Sequence, residues 1–237
     1  MTRRRWIADT FTETTASLTG DQALHLARVL RAEPGQVFDV VANGFLRRGT
    51  ITDVREDEVK FALGEELEAE AALPVHLLLA VTKFDRYEWA IEKVTELGAA
   101  RITPVIARRT EKHLAQAAGK RVERWRRIVL EAAKQSRRSD LPQVDDPLPL
   151  KQALGETSAS MKLLLSETEQ ENTIAAALKE SHPSGEVAVA IGPEGGWTTD
   201  EMTLFADSGW KPITLGPRIL RAETAAIAAL SVCSALL

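Results

Sequence analysis

Three stretches in the last third of the chain combine bare backbone with a few polar side chains. They are LLLSETEQ (residues 163–170), AIGPEGGWT (190–198) and TLGPRILRAETAA (214–226). Each starts as an apolar, strand-like run and ends in small or polar residues. Gly192, Gly195, Gly196 and Gly216 admit positive φ and let a ligand lie against main-chain atoms. In an open α/β sheet, ligands sit beyond the carboxyl ends of the strands, so three such ends can build one pocket. Glu194 lies in the glycine-rich stretch, and Arg221 and Glu223 flank the third. An ordinary tight turn explains any single Gly-Pro pair; three loops of matching design fit that explanation less well.

Other chemistries lack their residues. His25, His76, His113 and His182 are scattered, and Cys233 stands alone, so no metal-ligand spacing exists. There is no Walker loop, no GxGxxG after a strand and no Gly-x-Ser-x-Gly elbow. The glycine-rich stretch holds Glu194 and no Lys, which suits a phosphate poorly. The pattern points to a small organic cofactor held by backbone, with no metal.

The elements that must position these stretches follow from composition and periodicity. At 237 residues, 44% hydrophobic and 27% charged, the chain has the makings of one large or two modest globular domains. Residues 36–44, 46–56 and 58–66 read as strands separated by turn signals, with Asn43-Gly44 a hairpin cue. A short helix is expected before them, with Asp21 as N-cap and Leu24, Ala27 and Leu30 or Arg31 at helical spacing. The acidic, alanine-rich run 64–74 reads as a linker, giving domains at 1–70 and 74–237. Beyond it, strands and helices alternate. Strands are expected at 75–82, 101–107, 161–167, 186–192 and 211–217, and helices at 86–98, 119–136 and 222–237. Trp89, Val94 and Leu97 are the expected apolar side of the first of these helices, and Val122, Trp125, Val129 and Ala132 that of the second. This rhythm predicts an α/β fold with a mostly parallel sheet.

A lone cysteine fits a reducing compartment, and the basic N-terminus has no apolar run after it to make a signal peptide. The longest apolar run, 225–237, is too short for a bilayer, so a cytoplasmic protein without a membrane partner is expected. Net charge is -4, yet residues 101–138 hold twelve Lys or Arg against Glu111, Glu123 and Glu131, a local balance of +9. Such a stripe is the footprint of a polyanion-binding surface or, alternatively, a solvated helix face.

IGPEGGWTTDE and LGPRILRAETAAIAAL resemble the paired signatures of the SPOUT-class RNA methyltransferases. RRRW (3–6), HLARVLR (25–31), EKVTELGAARITPVIARR (92–109) and RWRRIVLEAAKQSRRSDLPQV (124–144) narrow the resemblance to the RsmE family, in that family's order. The resemblance covers nearly the whole chain. It implies an N-terminal PUA-like β-barrel, a C-terminal domain with a deep trefoil knot, S-adenosylmethionine as cofactor, a homodimer, and formation of N3-methyluridine in 16S ribosomal RNA of the small subunit.

Carried over, the resemblance sets Leu165 and Ser166 beside the adenosine. Ile191, Gly192, Glu194, Gly195 and Gly196 would wrap the methionine and ribose part, and Leu215, Gly216, Ile219, Leu220 and Arg221 the adenine. Ala225, Ala229 and Leu230 would belong to the dimer interface or, alternatively, to a plain core helix. Arg221 is the expected electrostatic group and Glu194 or Glu223 the base; Glu223 as a helix cap paired with Arg221 is the structural alternative. Expected RNA contacts are Arg3, Arg4, Arg5, Arg28 and Arg31, with Arg108, Arg109, Arg124, Arg127, Lys134, Arg137 and Arg138. The N-terminal region holds thirteen acidic residues against nine basic ones, so only one of its faces can meet RNA. The competing readings are a methyltransferase of another RNA and a non-catalytic ribosome-assembly factor.

Overall fold

The computed structural model describes residues 5–42, 44–68, 72–136, 138–181 and 183–237. The chain forms two compact units, Met1–Ala71 with Ala133–Leu141, and Ala72–Ala132 with Pro142–Leu237. The return of residues 133–141 to the first unit is not visible as a composition change in the sequence.

The first unit is a six-stranded sheet. It holds β1 (Arg5–Ile7), β2 (Thr10–Phe11), β3 (Thr15–Thr19), β4 (Val37–Ala42), β5 (Phe45–Val54) and β6 (Glu58–Glu66), in the order β1-β4-β5-β6-β3-β2. β1 pairs with β4 in parallel and the remaining pairs are antiparallel. The three strands after residue 36 match the alternation in the sequence, whereas β1 to β3 are too short to show a period. Leu18, Leu26, Val40, Ile51, Val59 and Phe61 make the core. Gly49 lets β4 approach: a Cβ there would stand 2.6 Å from Val40 Cγ2. Gly44 has φ 78 in the hairpin turn; Asn43, its expected partner, lies outside the described residues.

The expected helix forms differently. α1 (Gly20–Leu24) has Thr19 at its N-cap position with no side-chain capping bond, and Asp21, the expected N-cap, sits in its first turn instead. It continues as a π-helical turn, His25–Val29, with Leu30 N–H donating to the His25 carbonyl at 3.0 Å. Ala23 and Leu26, three residues apart, are buried while Leu24 is exposed, so the buried face is not the one expected from Leu24 and Ala27.

The second unit is a seven-stranded, wholly parallel sheet between helices. Its strands are β7 (Leu73–Ala80), β8 (Ala99–Ile106), β9 (Gln143–Val144), β10 (Leu148–Pro149), β11 (Met161–Leu165), β12 (Val187–Ile191) and β13 (Lys211–Ile213). The order is β10-β8-β7-β12-β11-β13, with β9 also on β8. The helices are α2 (Phe84–Glu96), α3 (Lys112–Ala118), α4 (Val122–Ser136), α5 (Leu150–Gly155), α6 (Ile174–Ser181), α7 (Thr199–Asp207) and α8 (Ala222–Leu236). Every residue of β12 is buried, as a strand covered on both faces requires. Leu77, Leu79, Val187, Val189 and Ile191 face the core that holds Ile91, Trp125 and Leu230. Leu78, Ala188 and Ala190 face the other, with Leu154, Phe205 and Trp210.

Two packing expectations are corrected. Trp89 is exposed, because α2 buries the stripe Tyr87, Ala90, Ile91 and Val94 instead. Ala225, Ala229 and Leu230 lie in this chain's own core, so α8 is a core helix at those positions. Val122, Trp125, Val129 and Ala132 are buried as expected. Among the described residues no helix is long and apolar enough to cross a membrane.

A buried polar network crosses β7 and β8. Thr103 Oγ1 donates its one proton to Asp145, so it accepts from His76 Nε2 at 2.7 Å. Arg101 Nε and Gln143 Nε2 also donate to Asp145. His76 Nδ1 is left buried without a hydrogen bond, 3.8 Å from Glu186. Burial, and then nearby Arg101, push the His76 pKa down from 6.5 to about 4, against the opposing pull of Asp145. Between those values the unfolded chain binds a proton that the folded chain refuses. Stability should therefore fall as pH drops from 6.5 toward 4, by about 3 kcal/mol at full extent. Denaturant midpoints across that window test this; H76Q, which keeps a donor for Thr103, should flatten the slope.

Candidate functional site

Parallel strands β12, β11 and β13 are neighbours, so the three glycine- and polar-rich stretches leave the sheet along one edge. Leu164 pairs with Ala190 and Leu165 with Ile213, which brings Ser166, Gly192 and Thr214 to that edge. Ser166 N–H donates to the Ile213 carbonyl at 3.0 Å, and Thr214 N–H to that of Asn172 at 2.8 Å. Thr214 Oγ1 accepts from Gly216 N–H at 3.2 Å, closing a turn in which Gly216 has φ 116. Leu165 and Ser166 are half-buried, as are Leu215 and Leu220, while Ile219 is 80% exposed.

The glycine-rich stretch is a tight turn braced by its own chain. Gly196 N–H donates to the Pro193 carbonyl at 2.8 Å, with φ 69 at Gly196. A Cβ on Gly192 would stand 3.0 Å from Trp197 Nε1, and one on Gly195 3.2 Å from Arg109 Cδ. Arg109 Nη1 donates to the Gly195 carbonyl. Thr198 caps α7 in a reciprocal pair with Glu201, whose other oxygen accepts from Arg108 N–H at 2.7 Å. The TTDE run is thus a helix start.

The acidic groups meet an arginine that sequence reasoning missed. Arg86, in the first turn of α2, donates through Nη1 to Glu194, and its Nε lies 3.9 Å from Glu223 Oε1. Glu223 is buried in the first turn of α8, and its Oε2 has no hydrogen-bond partner. Arg221 is exposed at the N-cap of α8, and no Arg221–Glu223 ion pair forms among the described residues. Glu223 does not cap the helix by a side-chain bond. Arg86 lies 108 residues from Glu194, and only the pairing of β7 with β12 makes them neighbours.

The basic stripe is less free than its count suggests. Arg124 forks onto Glu88 at 2.8 Å with both Nε and Nη2, Arg126 meets Glu123 and Asp146, and Arg101 meets Asp145. Within the first unit Arg28 pairs with Glu56, Lys134 with Asp9, and Arg138 with Asp140. Arg138 is 8% exposed, so its place on an RNA-facing surface is withdrawn. Arg31, Arg108 and Arg127 are exposed and form no ion pair among the described residues; Arg5 is half-buried. Arg3, Arg4 and Arg137 lie outside the described residues. Among the described residues no cluster of His, Cys, Asp and Glu has the makings of a metal site.

The comparisons follow this geometry. Residues 69–234 match the family model of the RNA methyltransferase domain and residues 18–63 that of the RNA methyltransferase PUA domain. A ribosomal RNA small subunit methyltransferase E from Synechocystis is 37% identical over 95% of this chain and 74% of its own. One from Bacillus subtilis is 34% identical over 93% of this chain and 90% of its own. The crystal structure of the Neisseria gonorrhoeae enzyme of that name, bound to S-adenosyl methionine, superposes with TM-score 0.81 at 28% identity, covering 99% and 98% of the two chains. The chain belongs to the ribosomal RNA small subunit methyltransferase E family.

The glycines yield a prediction independent of any ligand. Gly216→Ala places a Cβ at φ 116 and should cost about 1–2 kcal/mol of unfolding free energy in the cofactor-free protein. Gly119→Ala, at φ -58 with open space around it, should leave stability unchanged or raise it by up to about 1 kcal/mol. Denaturant unfolding of the two variants measures the contrast.

Proposed function

We propose that this chain is an S-adenosylmethionine-dependent methyltransferase that forms N3-methyluridine in 16S ribosomal RNA of the small subunit, in the cytoplasm and as a homodimer. The observation that carries this reading is the meeting of three loops at one edge of a parallel sheet, in a chain of this family. The residues fit the cofactor. Gly216 has open space where a side chain would stand, Gly196 has nearly so, and both take a backbone conformation that other residues rarely adopt, while Gly192 and Gly195 let Trp197 and Arg109 pack against the loop. We assign Leu165, Ser166, Ile191, Leu215, Ile219 and Leu220 with those glycines to holding it, in a knotted segment of the C-terminal domain. When bound, S-adenosylmethionine supplies an electrophilic methyl group on a sulfonium sulfur.

The protein's own part is proton and charge management. Uridine N3 carries a proton at neutral pH and is a poor nucleophile until it loses it. We assign Glu223 to receive that proton: its Oε2 is buried and unpartnered, whereas Glu194 is already bound by Arg86. Arg221, exposed beside it in the chain, would meet the anion on the uracil oxygens. Holding the reacting atoms in line supplies most of the remaining rate, on the order of 7–11 kcal/mol in such sites. The target base must leave its stack to reach them.

Phosphates would be met by Arg5, Arg28 and Arg31 on the first unit, with Lys134, and by Arg108, Arg109, Arg124 and Arg127 on the second. The dimer reading is supported by a stripe on α8 outside its buried face, Ile227, Ala228, Val232 and Leu236.

Transfer of a labelled methyl group to unmodified small-subunit particles, and separately to naked ribosomal RNA, tests the reading. Label in N3-methyluridine is expected. Cofactor binding without label points to another RNA, and no cofactor binding to an assembly factor. Arg221→Ala should lower transfer by roughly a hundredfold or more with cofactor affinity nearly intact; equal loss of both would make Arg221 a cofactor ligand. Neutralising Arg108 and Arg127 together should reduce the slope of log affinity against log salt by about 1–2. Neutralising Arg124, already held by Glu88, should change it less.

A further inference from the structure

We propose that Arg86 is a positioning residue of the transfer site, clamping the glycine-rich loop to the first turn of α8 through two carboxylates. The proposal rests on the reading that this loop and Glu223 border the site. Arg86 rides on α2 beside Tyr87, Ala90 and Ile91, all buried, so its Cα belongs to a rigid element. Its Nη1 reaches Glu194 in the loop, and its Nε faces Glu223 Oε1 at 3.9 Å. Among the described residues it is the cation within 4.0 Å of either carboxylate.

Each end of the clamp needs it. The loop from Gly192 to Gly196 holds three glycines in five residues and has little stiffness of its own. Beside its one internal hydrogen bond, from Gly196 N–H to the Pro193 carbonyl, it is held by side chains from elsewhere: Arg109 on the Gly195 carbonyl and Arg86 on Glu194. At the other end, the Glu223 side chain is 9% exposed and its Oε2 lacks a hydrogen bond, so removing the guanidinium strands a buried carboxylate. Two carboxylates facing one another without it would also repel, pushing the loop away from α8. Arg86 thereby fixes Glu223 with one oxygen engaged by charge and the other free to accept a proton.

The test combines R86Q, R86K and E194Q. Amide hydrogen exchange is read in the cofactor-free protein at residues 192–197 and 222–226, cofactor affinity by calorimetry, and kcat and KM on RNA. R86Q should accelerate exchange in both segments together. It should weaken cofactor binding roughly tenfold and lower kcat by roughly a hundredfold, with KM for RNA unchanged. R86K, which keeps the charge but loses the fork, should recover part of kcat and of the loop's protection. E194Q, at an exposed residue, should loosen the loop and spare α8; the double variant R86Q/E194Q should loosen the loop no further than R86Q. Wild-type exchange in either segment of R86Q, or a raised KM with kcat intact, overturns the clamp. If the wild-type protein transfers no methyl group, the function reading falls, while the exchange data still decide the clamp.

Discussion

The parallel pairing of β12 with β7 on one side and β11 on the other is the constraint on which the site depends. It puts the carboxyl ends of β11, β12 and β13 along one edge, so loops that follow Leu165, Ile191 and Ile213 meet without a dedicated scaffold. It also requires β12 to be apolar on both faces, and the chain meets this with alternating sizes. The valines and Ile191 face the larger core, and Ala188 and Ala190 face the smaller one. The alanines leave room for Phe205, which packs edge-on against Trp197 at 4.8 Å and Trp210 at 5.4 Å between ring centres. Trp197 in turn lies over Gly192. The core packing of α7 therefore reaches the glycine-rich loop through a single indole.

The same fold changes the meaning of the charges. The stretch from 101 to 138 is strongly basic when counted alone, but Glu88, Asp145 and Asp146 come to it from other elements. What remains as open positive charge is a smaller set, with Arg108 and Arg127 in the second unit and Arg31 in the first. Phosphate contacts draw on charges that are free to exchange counterions. An arginine already forked on a carboxylate contributes less, so the positive charge open to a polyanion is set by pairing as much as by sequence.

Much of the second unit was legible because its strands are long, apolar and bounded by glycine or proline. The strand cores at 75–80, 101–106 and 187–191 all form, as does α8. The glycines at 192, 195, 196 and 216 were legible as a demand for bare backbone. Their individual reasons were not. Gly192 and Gly195 make room for Trp197 and Arg109, while Gly196 and Gly216 have positive φ. The failures have local causes. The first helix buries Ala23 and Leu26 in place of Leu24, because a helix this short and mixed in composition offers more than one apolar face, and it runs on as a π-helical turn at His25 that no fixed period anticipates. β1 to β3 hold three, two and five residues, too few to show alternation. Trp89 was assigned inward on hydrophobicity, while the stripe that packs is one step away. Arg86 carried no motif at all; its place beside Glu194 and Glu223 exists only once β7 and β12 are paired.

A backbone cradle and a buried carboxylate impose opposite requirements, and the arginines reconcile them. Glycines open the loop to a ligand but remove the side chains that would hold it still. A carboxylate with an unpartnered oxygen is an acceptor waiting for a proton donor, yet its burial is costly without a compensating charge. Both needs are met by cations from neighbouring segments: Arg109 in the turn after β8 and Arg86 on α2. If this is the transfer site, such bracing would order it before a ligand arrives and leave little reorganisation for the transfer step. It also explains why side-chain braces come from α2 and from the segment after β8: the loop's own contribution is a single backbone hydrogen bond, from Gly196 N–H to the Pro193 carbonyl.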